Sequence, residues 1–149
     1  LIVTIVSLFG GRFWLLTLVI ALTAWPETAR VFRAQVQAML TRDFVVAARA
    51  SGATGPSVLA RHILPLTLPV AAAHASHQAG SAILTEAAMS FLGLGDPRTM
   101  SWGTLLGSAQ LVVREGWWVS LFPGIAITLT VLGCNLVADS LVSRAADEA

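Results

Sequence analysis

The sequence predicts an all-α fold, a polytopic bundle of transmembrane helices, and three observations carry that prediction. Of 149 residues, 56% are hydrophobic and 11% charged, where a soluble chain carries about 25% charged residues. Mean hydropathy is +0.77, and the apolar residues fall in runs near the roughly 20 residues that a helix needs to cross a bilayer. All nine basic residues are arginine, and five of them (Arg30, Arg33, Arg42, Arg49, Arg61) lie between Pro26 and Pro65. That clustering marks a cytoplasmic segment under the positive-inside rule. The net charge of +1 gives no footprint for nucleic acid.

The elements follow in order. Residues 1–9 are apolar and open at Leu1 with no positively charged stretch before them. They read as the end of a truncated span, not as a signal peptide. One helix running on through Arg12 would hold a charge deep in the bilayer, which is costly. A turn at Gly10-Gly11 avoids that cost. Residues 13–30 form the next span, with Pro26 a site for a kink. Residues 31–65 form the cytoplasmic segment. Residues 66–92 form a span whose only formal charge is Glu86, and residues 117–139 complete another. Alternation places residues 93–116 outside and the tail, 140–149, inside. That tail carries Arg144, Asp147 and Glu148 and is expected to fray. Trp14, Trp25, Trp117 and Trp118 fall near span ends, as aromatic belts do. Leu105 to Val113 has the pattern of a short amphipathic helix on the outer side.

Within the cytoplasmic segment, Val31 to Ala50 reads as one helix. Val31, Phe32, Val36, Met39, Leu40, Phe44 and Ala47 interleave with Arg33, Gln35, Gln37, Arg42 and Asp43. Gly52 is a stop for it. Thr54-Gly55-Pro56 starts a second helix, with Pro56 in its first turn. Leu64-Pro65 ends that piece and leads into the next span. Two short helices around a small-residue bend make a knob that a partner can hold. The plain alternative is an amphipathic loop lying on anionic lipid through its arginines.

Val46-Ala47-Ala48-Arg49-Ala50-Ser51-Gly52, with Leu64-Pro65 twelve residues beyond the glycine, resembles the cytoplasmic docking loop of ABC-importer permeases. That loop usually reads Glu-Ala-Ala-x-x-x-Gly, so Val46 stands where the family has Glu. Leu84-Thr85-Glu86-Ala87-Ala88-Met89-Ser90-Phe91-Leu92-Gly93-Leu94-Gly95 is similar to a stretch of the dipeptide, oligopeptide and nickel permeases. Ser101-Trp102-Gly103, Trp117-Trp118 with Leu121-Phe122-Pro123-Gly124, and Asn135-Leu136 with Asp139 match the same branch. So does Arg33-x-Gln35 ahead of the loop. The likeness covers residues from about 8 to 141 and looks most like the second of the two permeases in such a system. It implies six spans, the first two and part of the third missing here. It implies an ATPase-docking loop carried by Ala47, Ala48, Arg49, Gly52, Ala53, Pro56, Leu64 and Pro65. The implied partners are a second permease, two ATP-binding subunits, an external substrate-binding protein and the lipid bilayer of a prokaryotic inner membrane. ATP and magnesium would belong to the ATP-binding subunits, with no cofactor in this chain. The tail beyond Leu141 departs from the family pattern, and the missing spans leave a non-functional permease remnant as an alternative, beside a membrane scaffold that binds lipid.

Other residues carry weaker signals. Glu86 is an acid inside a span, which by default raises a functional role. With Gly80 and Ser81 it is a candidate for the pathway or outer gate, against a plain hydrogen bond to a neighbour. His74 and His77 sit one turn apart, but no third ligand is near, so packing or pore lining outweighs a metal site. His62 reads as solvated, Cys134 as a small buried hydrophobe. Residues 71–82 include nine Ala, Gly or Ser among twelve, which allows close helix approach. Gly80 and Gly103 are weak hinge candidates. A phosphate loop needs a lysine, and this chain has none. No His-Glu-x-x-His or Gly-x-Ser-x-Gly occurs, so membrane proteolysis or lipolysis has no support.

Overall fold

The computed structural model describes the backbone of residues 2–147 and the side chains of residues 2–143. Leu1, read above as an internal start, and the acidic end at Glu148 lie outside the described residues. The regular elements are α1 (Ile2–Phe9), α2 (Phe13–Leu40), α3 (Asp43–Ala50), α4 (Gly55–Val58), α5 (Leu64–Phe91), α6 (Trp102–Ala109) and α7 (Trp118–Asp147), with a π-helical turn at Leu59–Ile63 between α4 and α5. Among the described residues, three helical runs are long and apolar enough to cross a membrane: Phe13–Leu40, Gly55–Phe91 and Trp118–Ser143.

The turn expected at Gly10-Gly11 is present. Arg12 donates its backbone N–H to the Gly10 carbonyl at 2.9 Å, and its own carbonyl receives the first helical bond of α2, from Leu16. Arg12 is thus an exposed entry residue. Helix α2 includes Pro26 and continues to Leu40. Bilayer-length helices tolerate such a proline because other groups satisfy the freed carbonyls.

Three elements differ from the sequence expectation. The helix expected over Val31–Ala50 breaks at Thr41-Arg42. Arg42 is extended (φ −75°, ψ 146°) and stands at the N-cap of α3, and the Thr41 hydroxyl bonds the Ala38 carbonyl at 3.0 Å. The break lets Val45 join Val58 and Ile63 in a cluster against which Val36 and Met39 pack. The second short helix does not end at Leu64-Pro65. It passes through the π turn into α5, where the Leu64 N–H reaches the Leu59 carbonyl, one residue further than an α-helical bond. Pro65 has no N–H to restore α register behind it, so the wide turn absorbs the mismatch. The outer helix starts at Trp102, not Leu105, because Ser101 and Thr104 form a reciprocal capping box. Helix α7 runs into the tail as far as Asp147.

By contacts the chain forms two units, Leu1–Ala24 with His77–Asn135, and Trp25–Ser76 with Leu136–Ala149. In the first, Val6, Leu16, Val19, Ala87, Ala109 and Ile127 are buried. In the second, Val45, Val58 and Ile63 form a tight cluster. Many large apolar side chains face outward, among them Trp14 at 80% and Phe122 at 68% exposure. Surfaces of this kind are covered by lipid or by other helices.

Candidate functional site

In the second unit, α3 and α4 build a knob from short-range chemistry. Helix α3 ends in a Schellman motif. The Gly52 N–H bonds the Arg49 carbonyl at 2.9 Å, and the Ala53 N–H bonds the Ala48 carbonyl at 3.1 Å. Those bonds require the residue between to be left-handed, and Gly52 has φ +86°. The apolar contact that accompanies this motif is here too, since Ala48 and Ala53 both pack on the cluster of Val45, Val58 and Ile63. The spacing Ala48 to Gly52 to Ala53 therefore encodes one turn and its apolar seal. Helix α4 then begins with Pro56 in its first turn.

Of the predicted docking residues, Ala48, Gly52 and Ala53 are brought together by this turn. Ala47, Arg49 and Pro56 are exposed around it. Leu64 and Pro65 belong to the start of α5. Leu64 lines a groove of about 540 Å³ with Phe32, Arg33, Val36, Leu59 and Thr67. The sequence reading missed Val45, Val58 and Ile63 as the core of the knob, although Val45 and Ala48 stand at the helical spacing that marks an inward face. His62, read as solvated, is half-buried, and its Nδ1 has no hydrogen-bond partner among the described residues.

In the first unit, Glu86 lines a mostly apolar cavity of about 530 Å³ with Phe13, Thr17, Thr99, Ser101 and Trp102. Its Oε1 accepts from the Ser90 hydroxyl at 2.6 Å. Ser90 is 4% exposed and is boxed in by two glycines. A Cβ at Gly95 would collide with the Ser90 hydroxyl, and one at Gly103 with Ser90 and the Ala87 carbonyl. Glu86 thus fixes the residue on which the 93–109 segment rests. Gly93 closes α5 with the same motif as Gly52, with φ +78° and bonds from Gly93 to Ser90 and from Leu94 to Met89. Asp96 ties the segment back. Its carboxylate accepts from the Arg98 N–H at 3.0 Å and from the Phe13 N–H, an orphan donor at the start of α2, at 3.3 Å. The bond from Arg98, then that from Phe13, holds the Asp96 carboxyl below its ordinary value, with the Arg98 and Arg12 charges adding to this.

Gly80 does not line that cavity. It faces α7, where an added Cβ would meet Val131, Cys134 and Asn135 at 3.5–3.9 Å. Ser81 is half-buried beside it. His77 Nδ1 lies 3.2 Å from Asn135 Oδ1, within hydrogen-bonding distance. His74 lines a cavity of about 70 Å³ with Thr28, Gln35 and Thr67. Among the described residues no group of three or more His, Cys, Asp or Glu side chains is placed to hold a metal ion.

A family model described as binding-protein-dependent transport system inner membrane component matches residues 1–146. The chain belongs to this family. It is therefore a multi-pass membrane protein of a transport family, not of an enzyme family. A putative peptide permease of Brucella ovis is 39% identical over 143 residues, which are 94% of this chain and 47% of the relative. A putative peptide transport system permease of Brucella suis is 40% identical over 128 residues, 84% of this chain and 43% of the relative. A di/tripeptide transport system permease of Pseudomonas aeruginosa is 39% identical over 142 residues, 95% of this chain and 47% of the relative. The chain spans about half the length of the curated relatives it matches. Family membership accounts for the exposed apolar faces of α2, α5 and α7, which belong against lipid or neighbouring helices.

Proposed function

We propose that this chain supplies the membrane path and the coupling lever of an ATP-driven importer in a bacterial plasma membrane. It pairs with a second permease, two ATP-binding subunits and an external substrate-binding protein. Residues 31–65 face the cytoplasm, and the knob at α3–α4 docks on an ATP-binding subunit. That subunit binds ATP and magnesium. When the ATPase pair closes, the knob is carried with it and the spans rock between inward-open and outward-open states. The chain performs no covalent chemistry. The cargo class is a di- or oligopeptide, as the names of the relatives suggest, with a nickel complex as the second choice within the same branch.

The observation that carries this reading is the construction of the knob. The eight-residue α3 is too short to hold its shape alone, and α4 is the first turn of the helical run Gly55–Phe91. Here a left-handed glycine and a shared buried cluster hold them. A lever must be rigid to transmit displacement, and a loop that only rests on lipid has no need of such a turn.

The test is purification of the chain from its native membrane in mild detergent, with identification of what accompanies it. Two ATP-binding subunits and a second permease should co-purify, and Gly52→Trp should lose the ATP-binding subunits. Purification alone or with lipid only contradicts the reading and favours a scaffold or a permease remnant.

A further inference from the structure

Arg33-x-Gln35 has no part in the knob, and its two side chains take different sides of α2. Gln35 lines the small cavity beside His74. Arg33 is exposed on the edge of the groove of about 540 Å³, with Gln37 one turn on. Phe32 and Val36 line that groove from α2, Leu59 from the π turn and Leu64 from the start of α5. The π turn makes this apolar floor. Five steps of about 100° would set Leu64 far round the helix axis from Leu59, whereas the wider turn brings the two toward one side. Arg30, also exposed, lies within about 60° of Arg33 around α2. Neither arginine makes an ion pair among the described residues. Glu27 lies about a third of a turn round from Arg33, and Asp43 is the only acid between Thr28 and Ala82.

We propose that this groove holds one anionic phospholipid of the cytoplasmic leaflet, with an acyl chain against Phe32, Leu59 and Leu64 and its phosphate on Arg33. The depth fits such a ligand. From Phe13 to Arg33 helix α2 rises about 30 Å, which is about the thickness of the hydrocarbon core. With the start of α2 at one face of the bilayer, Arg33 stands at the headgroups of the other. The charge chooses the headgroup. A guanidinium pairs with phosphate through two parallel hydrogen bonds, and basic pockets between spanning helices on the cytoplasmic side take acidic headgroups. A choline headgroup would bring a further cation to two arginines that have no counter-charge. A peptide in transit would bring an ammonium group, and the groove lining offers it no acid. The site shares with the proposed function only the cytoplasmic placement of residues 31–65 and stands without the docking reading.

The experiment titrates the chain, purified from its native membrane with its companions and washed in mild detergent, with phosphatidylglycerol or with phosphatidylcholine of the same acyl chains. Bound lipid is counted by native mass spectrometry. Arg33 and Leu59 are exposed, so substitutions there remove no core contact. Phosphatidylglycerol should bind more tightly than phosphatidylcholine. Arg33→Gln should cut that preference about fivefold, the effect of one arginine near an anionic surface, while Arg114→Gln, between α6 and α7, should leave it. Leu59→Trp, which fills the groove, should weaken binding of both lipids. Glycerol 3-phosphate, a headgroup without chains, should not compete at equal concentration. Equal binding of the two lipids, or a preference that Arg33→Gln leaves intact, overturns the site. Competition by glycerol phosphate, or indifference to Leu59→Trp, overturns the acyl-chain groove in favour of a simple anion contact. A photo-crosslinking amino acid at Leu59 in native membranes should give lipid adducts, and adducts with a protein subunit alone overturn the lipid as occupant. Absence of ATP-binding subunits from the purified chain would contradict docking and leave the lipid result readable.

Discussion

At Gly52 the constraint is the backbone. A Cβ there would meet nothing within 4 Å, while φ is +86°. An ordinary L-residue in that conformation costs about 1–2 kcal/mol, and asparagine tolerates it better than most. Substrate uptake should therefore follow Gly52→Asn above Gly52→Ala above Gly52→Val, and hydrogen exchange at Ala53 should quicken in the same order. A flat series would mean that the turn does not matter. Asp96 makes the other residue-scale prediction. Its carboxyl is held below its ordinary value in the folded chain, so the folded form binds a proton less readily than the unfolded one. The stabilisation is thus complete above an ordinary aspartate pKa of about 3.9 and is lost as pH falls through the lowered folded value. Exchange of the Phe13 amide should be slow above pH 4 once the intrinsic pH dependence is removed, and accelerate below it. Asp96→Asn should abolish that transition. The stop at Gly52 was legible in the sequence because one residue type answers one backbone need. The Asp96 tie was not, since it joins positions 83 residues apart.

At the scale of elements, the knob depends on a core of three residues. Ile63 is fully buried in it, and Ile63→Ala should cost about 2–5 kcal/mol. The expected outcome is loss of amide protection across residues 43–58 without loss of the long helices, measured by exchange mass spectrometry in detergent. The outer segment depends on close packing instead. Gly103→Ala would press a methyl group into Ala87 and Ser90, a misfit of about 1–3 kcal/mol. It should loosen residues 95–109 and the Glu86–Ser90 bond, while Gly124→Ala, which meets nothing within 4 Å, should not. The long helices could be read from hydropathy alone, because each answers to bilayer thickness. Two of their joints could not. The break at Thr41-Arg42 is made by packing of Val45 on residues up to eighteen positions away. The π turn before Pro65 arises from a helix that continues where a proline suggested an end. The start of α6 was open to reading, since Ser101 and Thr104 stand at capping-box spacing.

For the whole molecule, long apolar runs and the arginine cluster gave the class of the protein, and the residues around Gly52 gave its family. The surroundings of Gly80 and Glu86 needed coordinates. Small size at position 80 serves contact with α7, whereas Glu86 both lines a cavity and braces Ser90. Cargo is not written in either feature. The central claim is that the α3–α4 knob meets the ATP-binding subunit on the cytoplasmic side. It is tested most directly by a photo-crosslinking amino acid placed at Ala47, exposed on α3, and in a second protein at Val112, exposed in the segment between α6 and α7. Illumination of native membranes should join position 47 to an ATP-binding subunit and position 112 to none. Adducts of position 47 with lipid alone, or with the external binding protein, would contradict the account.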